Sequence, residues 1–164
     1  MQKFISILLT AAFFGCLLAA CTPPRDETAM QNPVVSYDTR EELEEATGLV
    51  VTLPAIMPDG FDVPPEYHAI SGKIAEVVWR SGEAVMTYRL AALSEELSED
   101  ISGDYNEYNG AAELIIADRT FRIKYDIEGE VSVATSAHGG FLYAFTFSPP
   151  VTLGQFQAMA ETLV

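Results

Sequence analysis

Bases are scarce in this sequence. Its 164 residues hold 9 Lys+Arg against 24 Asp+Glu, a net charge of −15. A chain with no surplus of cations has little with which to displace counterions from phosphates, which argues against nucleic acid as a partner. Cysteine is nearly missing: Cys16 and Cys21 are the two present, and nothing after them forms a disulfide or a thiolate nucleophile. Histidine is confined to His68 and His138, and neither has a His, Cys or acid at metal-ligand spacing on its own element. There is no Gly-x-Ser-x-Gly elbow, no phosphate loop and no dinucleotide fingerprint. The apolar run over residues 4–18 falls short of the roughly 20 residues that span a bilayer. What is present, 49% hydrophobic and 10% aromatic residues, is the composition of one folded domain.

The short apolar run has a different use. It follows a positive start, Met1-Gln2-Lys3, and ends in Leu18-Ala19-Ala20-Cys21. That ending resembles the lipobox of bacterial lipoproteins, in which small residues admit a peptidase and the cysteine thiol accepts diacylglycerol. The resemblance implies a signal peptide over residues 1–20, lipidation of Cys21 with diacylglycerol and palmitate-type acyl chains, and a membrane anchor facing outside the cytoplasm on the cell membrane or outer membrane. Removal of the leader takes away Lys3 and no acid, so the mature chain is more acidic still. Anionic headgroups repel such a domain, which is expected to stand off the surface. Residues 21–33 form the lipidated cysteine and a tether containing Pro23, Pro24 and Pro33; fully extended it reaches at most about 40 Å.

From residue 34 to residue 164 the pattern is that of one α+β domain. Asp38 or Thr39 caps a short helix, Glu42 completes a capping box, and Gly48 stops it. The surrounding glutamates form a solvated helix face. Residues 49–53 read as a strand, followed by turns at Pro54, Pro58-Asp59-Gly60 and Pro64-Pro65. A hairpin turning at Ser81-Gly82 pairs Trp79 with Ala84, Val77 with Met86 and Ala75 with Tyr88, and leaves Arg89 diagonal to Glu76. A second, turning at Asp118-Arg119, pairs Ile116 with Phe121 and Leu114 with Ile123. Three-residue loops at Ile127-Glu128-Gly129 and His138-Gly139-Gly140 then set Ile123 opposite Val133 and Val133 opposite Phe145. The chain closes with a helix capped by Thr152 with Gln155 at the capping-box position, carrying Leu153, Phe156, Ala160 and Leu163 on one apolar stripe. The expectation is an antiparallel meander sheet of about six or seven strands, with a short N-terminal helix and a C-terminal helix packed on the sheet.

One loop stands out. Asp100-Ile101-Ser102-Gly103-Asp104-Tyr105-Asn106-Glu107-Tyr108 is long, acidic and without apolar period. Asp100, Asp104, Tyr105, Asn106, Glu107 and Tyr108 are the candidate site residues. Their oxygens suit Ca²⁺, although the spacing is not that of an EF-hand. In the structural reading, Asp and Asn side chains cap turns while Ile101, Tyr105 and Tyr108 pin the loop to the sheet edge.

Several strings stand in a familiar order: Asn32-Pro33-Val34-Val35, the Glu-rich helix with Gly48, Leu53-Pro54, Pro58-Asp59-Gly60-Phe61, Ile74-Ala75-Glu76-Val77, Thr87-Tyr88-Arg89 and the Asp100 to Asn106 string. Together they resemble an uncharacterised family of Firmicutes lipoproteins built on a domain of unknown function. A similar domain occurs at the extracytoplasmic ends of membrane-anchored regulators resembling anti-sigma factors. The resemblance implies a fold and a location but no reaction. The leading expectation is therefore a non-catalytic binding or sensing module of the cell envelope, recognising an envelope protein or ligand. Two alternatives stand beside it. One is a carrier of an apolar ligand, using Phe121, Tyr125, Phe141, Tyr143, Phe145 and Phe147. The other is an envelope hydrolase working through two carboxylates, one in a cleft with a raised pKa.

Overall fold

The structure, a computed structural model, describes residues 33–95, 97 and 100–163. The signal peptide, Cys21 and all of the tether but Pro33 lie outside the described residues. Eight strands form one antiparallel sheet: β1 (Val34–Tyr37), β2 (Glu66–Ile70), β3 (Ile74–Ser81), β4 (Ala84–Ala92), β5 (Gly110–Ile116), β6 (Arg119–Tyr125), β7 (Glu130–His138) and β8 (Phe141–Thr152). Helix α1 (Arg40–Thr47) follows β1 and α2 (Leu153–Ala160) follows β8. Among the described residues no helix is long and apolar enough to cross a membrane.

The sheet has eight strands where six or seven were expected, and the order β1-β2-β3-β4-β8-β7-β6-β5 makes it two four-stranded meanders joined at β4 and β8. This joint has a geometric consequence. The chain leaves β4 at the centre and re-enters at β5 on the far edge, four strand spacings or about 19 Å away. The connection must pass over β8, β7 and β6, and it does so across one face, which carries the acidic loop with it.

Both helix caps follow from their sequences. Thr39 Oγ1 accepts from the Glu42 amide and Gly48 closes α1 at φ 70°; the Glu42 carboxylate reaches the Asp38 amide and not that of Thr39, so the capping box expected there is not formed. Thr152 and Gln155 form a reciprocal capping box on α2. Residues 49–53 form no regular element and lie outside the sheet, contrary to the strand expected there. Leu49 and Val51 do alternate into the core, yet the Val51 amide donates to Glu44 Oε1 of the preceding helix and not to a neighbouring strand.

The turns differ from the expected ones by one residue, and the position of the positive φ explains each case. The β3–β4 turn is Gly82-Glu83, with Gly82 at φ 62° in the first central position, as a type II′ turn requires. Trp79 therefore faces Met86, Val77 faces Tyr88, and Glu76 lies directly opposite Arg89. The β5–β6 turn is Ala117-Asp118, and Ala117 itself takes φ 53°. Leu114 thus faces Phe121, and Ala112 faces Ile123. Both are two-residue register shifts, so every side chain keeps its expected face.

β7 is different. Gly139 and Gly140 both have positive φ, 60° and 84°, and form a two-residue loop that pairs His138 with Phe141 and Ala134 with Phe145. On its other side Ala134 faces Ile123. Each loop was expected one residue too long. The two slips cancel between β6 and β8 but invert β7, so Ala134 and not Val133 joins the aromatic face. Alanine leaves room there for Phe145, whose ring stacks on Tyr88 at 4.7 Å.

That aromatic face is the main core. Phe121, Phe145, Phe147 and Tyr88 are buried together with Leu43 of α1 and Phe156 and Met159 of α2. Phe156 meets Phe121, Phe145 and Phe147 edge-on at 5.3, 6.2 and 6.1 Å. The opposite face is covered at its centre by the β4–β5 connection, where Ile101 packs with Ala91, Leu142 and Ala144.

Candidate functional site

The alternation Asp100-x-Ser102-x-Asp104-x-Asn106 has a direct structural meaning. Asp100 Oδ1 accepts from the Ser102 amide at 2.9 Å, Ser102 Oγ from the Asp104 amide at 3.2 Å, and Asp104 Oδ1 from the Asn106 amide at 2.8 Å. Each polar side chain caps the backbone two residues on, so three successive turns lock together without a β-ladder. Asp104 Oδ2 also accepts from the Tyr108 hydroxyl at 2.9 Å. Ile101, between the first two polar residues, drops into the apolar patch on the sheet.

Arg89 fastens this loop to the sheet. Its Nε and Nη2 both lie 2.7 Å from Glu76 Oε2, and its Nη1 donates to the carbonyls of Ile101 and Ser102. Gly103 passes directly over the guanidinium at φ 67°, and a Cβ there would run into Arg89. A second strap joins Lys124 Nζ to Asp100 Oδ2 at 3.1 Å.

Of the six candidate residues, Asp100, Asp104, Asn106 and Tyr108 thus belong to one hydrogen-bonded unit. Tyr105 does not pin the loop: it is 96% exposed. Glu107 is exposed as well. The acidic oxygens of the loop face amide and hydroxyl donors, and no group of three or more His, Cys, Asp or Glu is gathered for a metal among the described residues. His68 and His138 lie on β2 and β7, four strand spacings apart, about 19 Å. His68 Nδ1 sits 3.0 Å from Ser36 Oγ, and its Nε2 is 3.6 Å from Glu66; His138 Nε2 is 3.7 Å from Asp118.

Two loop groups carry shifted acidities. Burial works to raise the Asp100 pKa, but hydrogen bonds from Ser102 and the Lys124 ammonium outweigh it and hold the carboxyl below its ordinary value. Burial, reinforced by the hydrogen bond to the Asp104 carboxylate, pushes the Tyr108 phenol up to about 12. A depressed carboxyl stabilises the folded state above its unfolded pKa, near ~3.9, and that contribution is lost as pH falls through the lower folded value. A raised phenol stabilises below its unfolded pKa, near ~10, and loses that contribution as pH climbs toward the folded value. Asp100→Asn is therefore expected to flatten the acid limb of the stability–pH curve and Tyr108→Phe the alkaline limb, as read by urea melts across pH. Identical limbs in variant and parent would refute this assignment.

A groove runs beside the loop on the same face. One cavity of about 390 Å³ is lined by Asp100, Thr120, Arg122, Lys124, Thr135 and neighbours. A second, about 340 Å³, lies against Asn106, Tyr108, Asn109, Arg122 and Lys124. A third borders Ala111, Glu113 and Arg122. Arg122 lines all three. Nothing in the sequence marked it: it is one of three bases on a strand whose alternation reads only as a half-buried face, and the groove exists because β5 and the loop are brought together by the crossover.

The aromatic residues of the carrier reading fall elsewhere. Phe121, Phe145 and Phe147 are in the core against Phe156, Tyr125 and Tyr143 are half-buried beside them, and Phe141 lies at an exposed hairpin end. Among carboxyl groups with a shifted pKa, Glu41 and Asp100 are both held below the ordinary value, opposite to what a proton donor requires. No protein-family model, curated protein or solved structure matches this chain.

Proposed function

We propose that this protein is a lipid-anchored binding or sensing module of the bacterial cell envelope, held outside the cytoplasm by diacylglycerol on Cys21 and kin to the Firmicutes lipoproteins it resembles. The observation that carries the reading is Leu18-Ala19-Ala20-Cys21 at the end of the apolar run. Charge, apolar run, small residues and thiol all stand in register, and two or three acyl chains anchor stably where one binds only marginally. The binding role rests on a rigid loop strapped across a sheet beside an open polar groove, which is how recognition residues are commonly presented on a stable scaffold. The partner is an envelope protein or ligand and not nucleic acid, given the charge.

Cys21→Ala tests the anchor. In a lipoprotein-processing host the variant is expected to lose all incorporation of labelled fatty acid and to accumulate with its leader attached or be released. Undiminished acyl label and unchanged membrane fractionation in Cys21→Ala would overturn the reading.

A further inference from the structure

Arg122 is the one described base without a partner. Arg40 pairs with Glu41 and Glu44, Arg80 with Glu66, Arg89 with Glu76, and Lys124 with Asp100. Arg119 donates to the Leu163 carbonyl and lies over the Tyr143 ring, and Lys73 is engaged as well. In a protein carrying 24 acids, an unpaired guanidinium is the exception, and this one borders all three cavities of the groove. Glu113 sits directly opposite it on β5, yet the two carboxylate oxygens make no ion pair with it. On its other side its strand partner is Thr135, which lines the 390 Å³ cavity together with Thr120 and Lys124.

Building on the binding-module reading, we propose that this groove is an oxyanion site, and that Arg122 takes the carboxylate or phosphate group of a small hydroxylated ligand. A planar guanidinium presents five donors in a fork that matches two oxygens of one oxyanion. The Thr120 and Thr135 hydroxyls and the Asn106 and Asn109 amides supply the mixed donors and acceptors that ligand hydroxyls need. Cavities of 390 and 340 Å³ lie at the small end of the range of small-molecule sites, near 300–1,000 Å³. The acids around Arg122, namely Glu113 across the strand pair and Asp100 on Lys124, oppose the incoming charge.

The test is a titration of the protein followed through the arginine Nε–Hε and backbone amide signals by NMR. Inorganic phosphate and glucuronate are the probes, which separate a phosphate from a carboxylate source; sodium chloride at matched ionic strength and neutral glucose are the controls. The Arg122 signal and the Thr120, Lys124 and Thr135 amides are expected to shift and saturate with at least one probe, and the amide shifts to vanish in Arg122→Gln. Glu113→Gln, which removes one opposing charge about 6 Å away, is expected to tighten the apparent Kd about threefold. Arg80→Gln, on the opposite half of the sheet, should leave it unchanged. A response that only tracks chloride, or one that persists in Arg122→Gln, would sink the oxyanion site. Either failure would leave the Cys21 acyl-label result untouched, so the anchor and the groove are judged separately.

Discussion

Replacing Arg89 with methionine is expected to lower the stability of the domain by about 3 kcal/mol and its Tm by about 10 °C. Glu76 is only 9% exposed, and its carboxylate has the Arg89 guanidinium as its counter-ion. Removing one member of a buried pair leaves the other charge uncompensated, and that is the larger part of the cost. The second part is specific to this fold. The same guanidinium also satisfies the carbonyls of Ile101 and Ser102, both buried residues of the connection itself. A double variant, Glu76→Leu with Arg89→Met, removes the orphaned charge but not the orphaned carbonyls. It should recover roughly half of the loss, because an apolar pair in place of an ion pair is often near neutral. Hydrogen exchange at the Ser102, Asp104 and Asn106 amides should remain fast in both variants, since these amides are held by the loop that Arg89 anchors. A single variant within about 0.5 kcal/mol of the parent, the usual range for an exposed surface substitution, would refute this account.

Face assignments were legible from sequence wherever a turn error was even. The β3–β4 and β5–β6 registers moved by two residues and kept Trp79, Val77, Leu114 and Phe121 on the core side. Turn chemistry at short loops decides by single residues. Gly139 and Gly140 both accept positive φ, and two such residues make a complete type I′ loop without His138. The β-branched Val133 looked like a core residue by type, but it lies on the opposite face and is fully buried there. Burial on that face was not legible, because it comes from a connection whose path depends on where β8 inserts. β8 lies beside β4, which no local pattern announces. The Thr152–Gln155 capping box was legible to the residue, since it depends on four consecutive positions; at α1 the sequence left Asp38 and Thr39 both open as the cap, and the capping box expected of Glu42 is not made. The loop motif was legible as unusual and as turn-forming; Arg122 was not, because its isolation follows from what surrounds it in space.

The second large effect falls in the main core. Phe156→Ala is expected to cost about 4 kcal/mol, within the range for buried Phe→Ala substitutions, and about 15 °C in Tm. Phe156 is fully buried and is the common edge-on neighbour of Phe121, Phe145 and Phe147. Truncation removes three ring contacts together and leaves a void that α2 cannot close by moving inward, because Thr152 and Gln155 cap its start and Arg119 holds the Leu163 carbonyl beyond its end. Phe156→Leu, which refills most of the volume, should cost no more than about 1.5 kcal/mol. The void would be lined by aromatic carbon and so remain dry, the condition under which an engineered cavity takes up benzene. Benzene should therefore raise the Tm of Phe156→Ala by a few degrees and leave the parent unmoved, since binding to the folded state alone is what stabilises it. Stabilisation of the parent by the same ligand would mean that the aromatic face holds space of its own, and would restore the apolar carrier as a function for this fold.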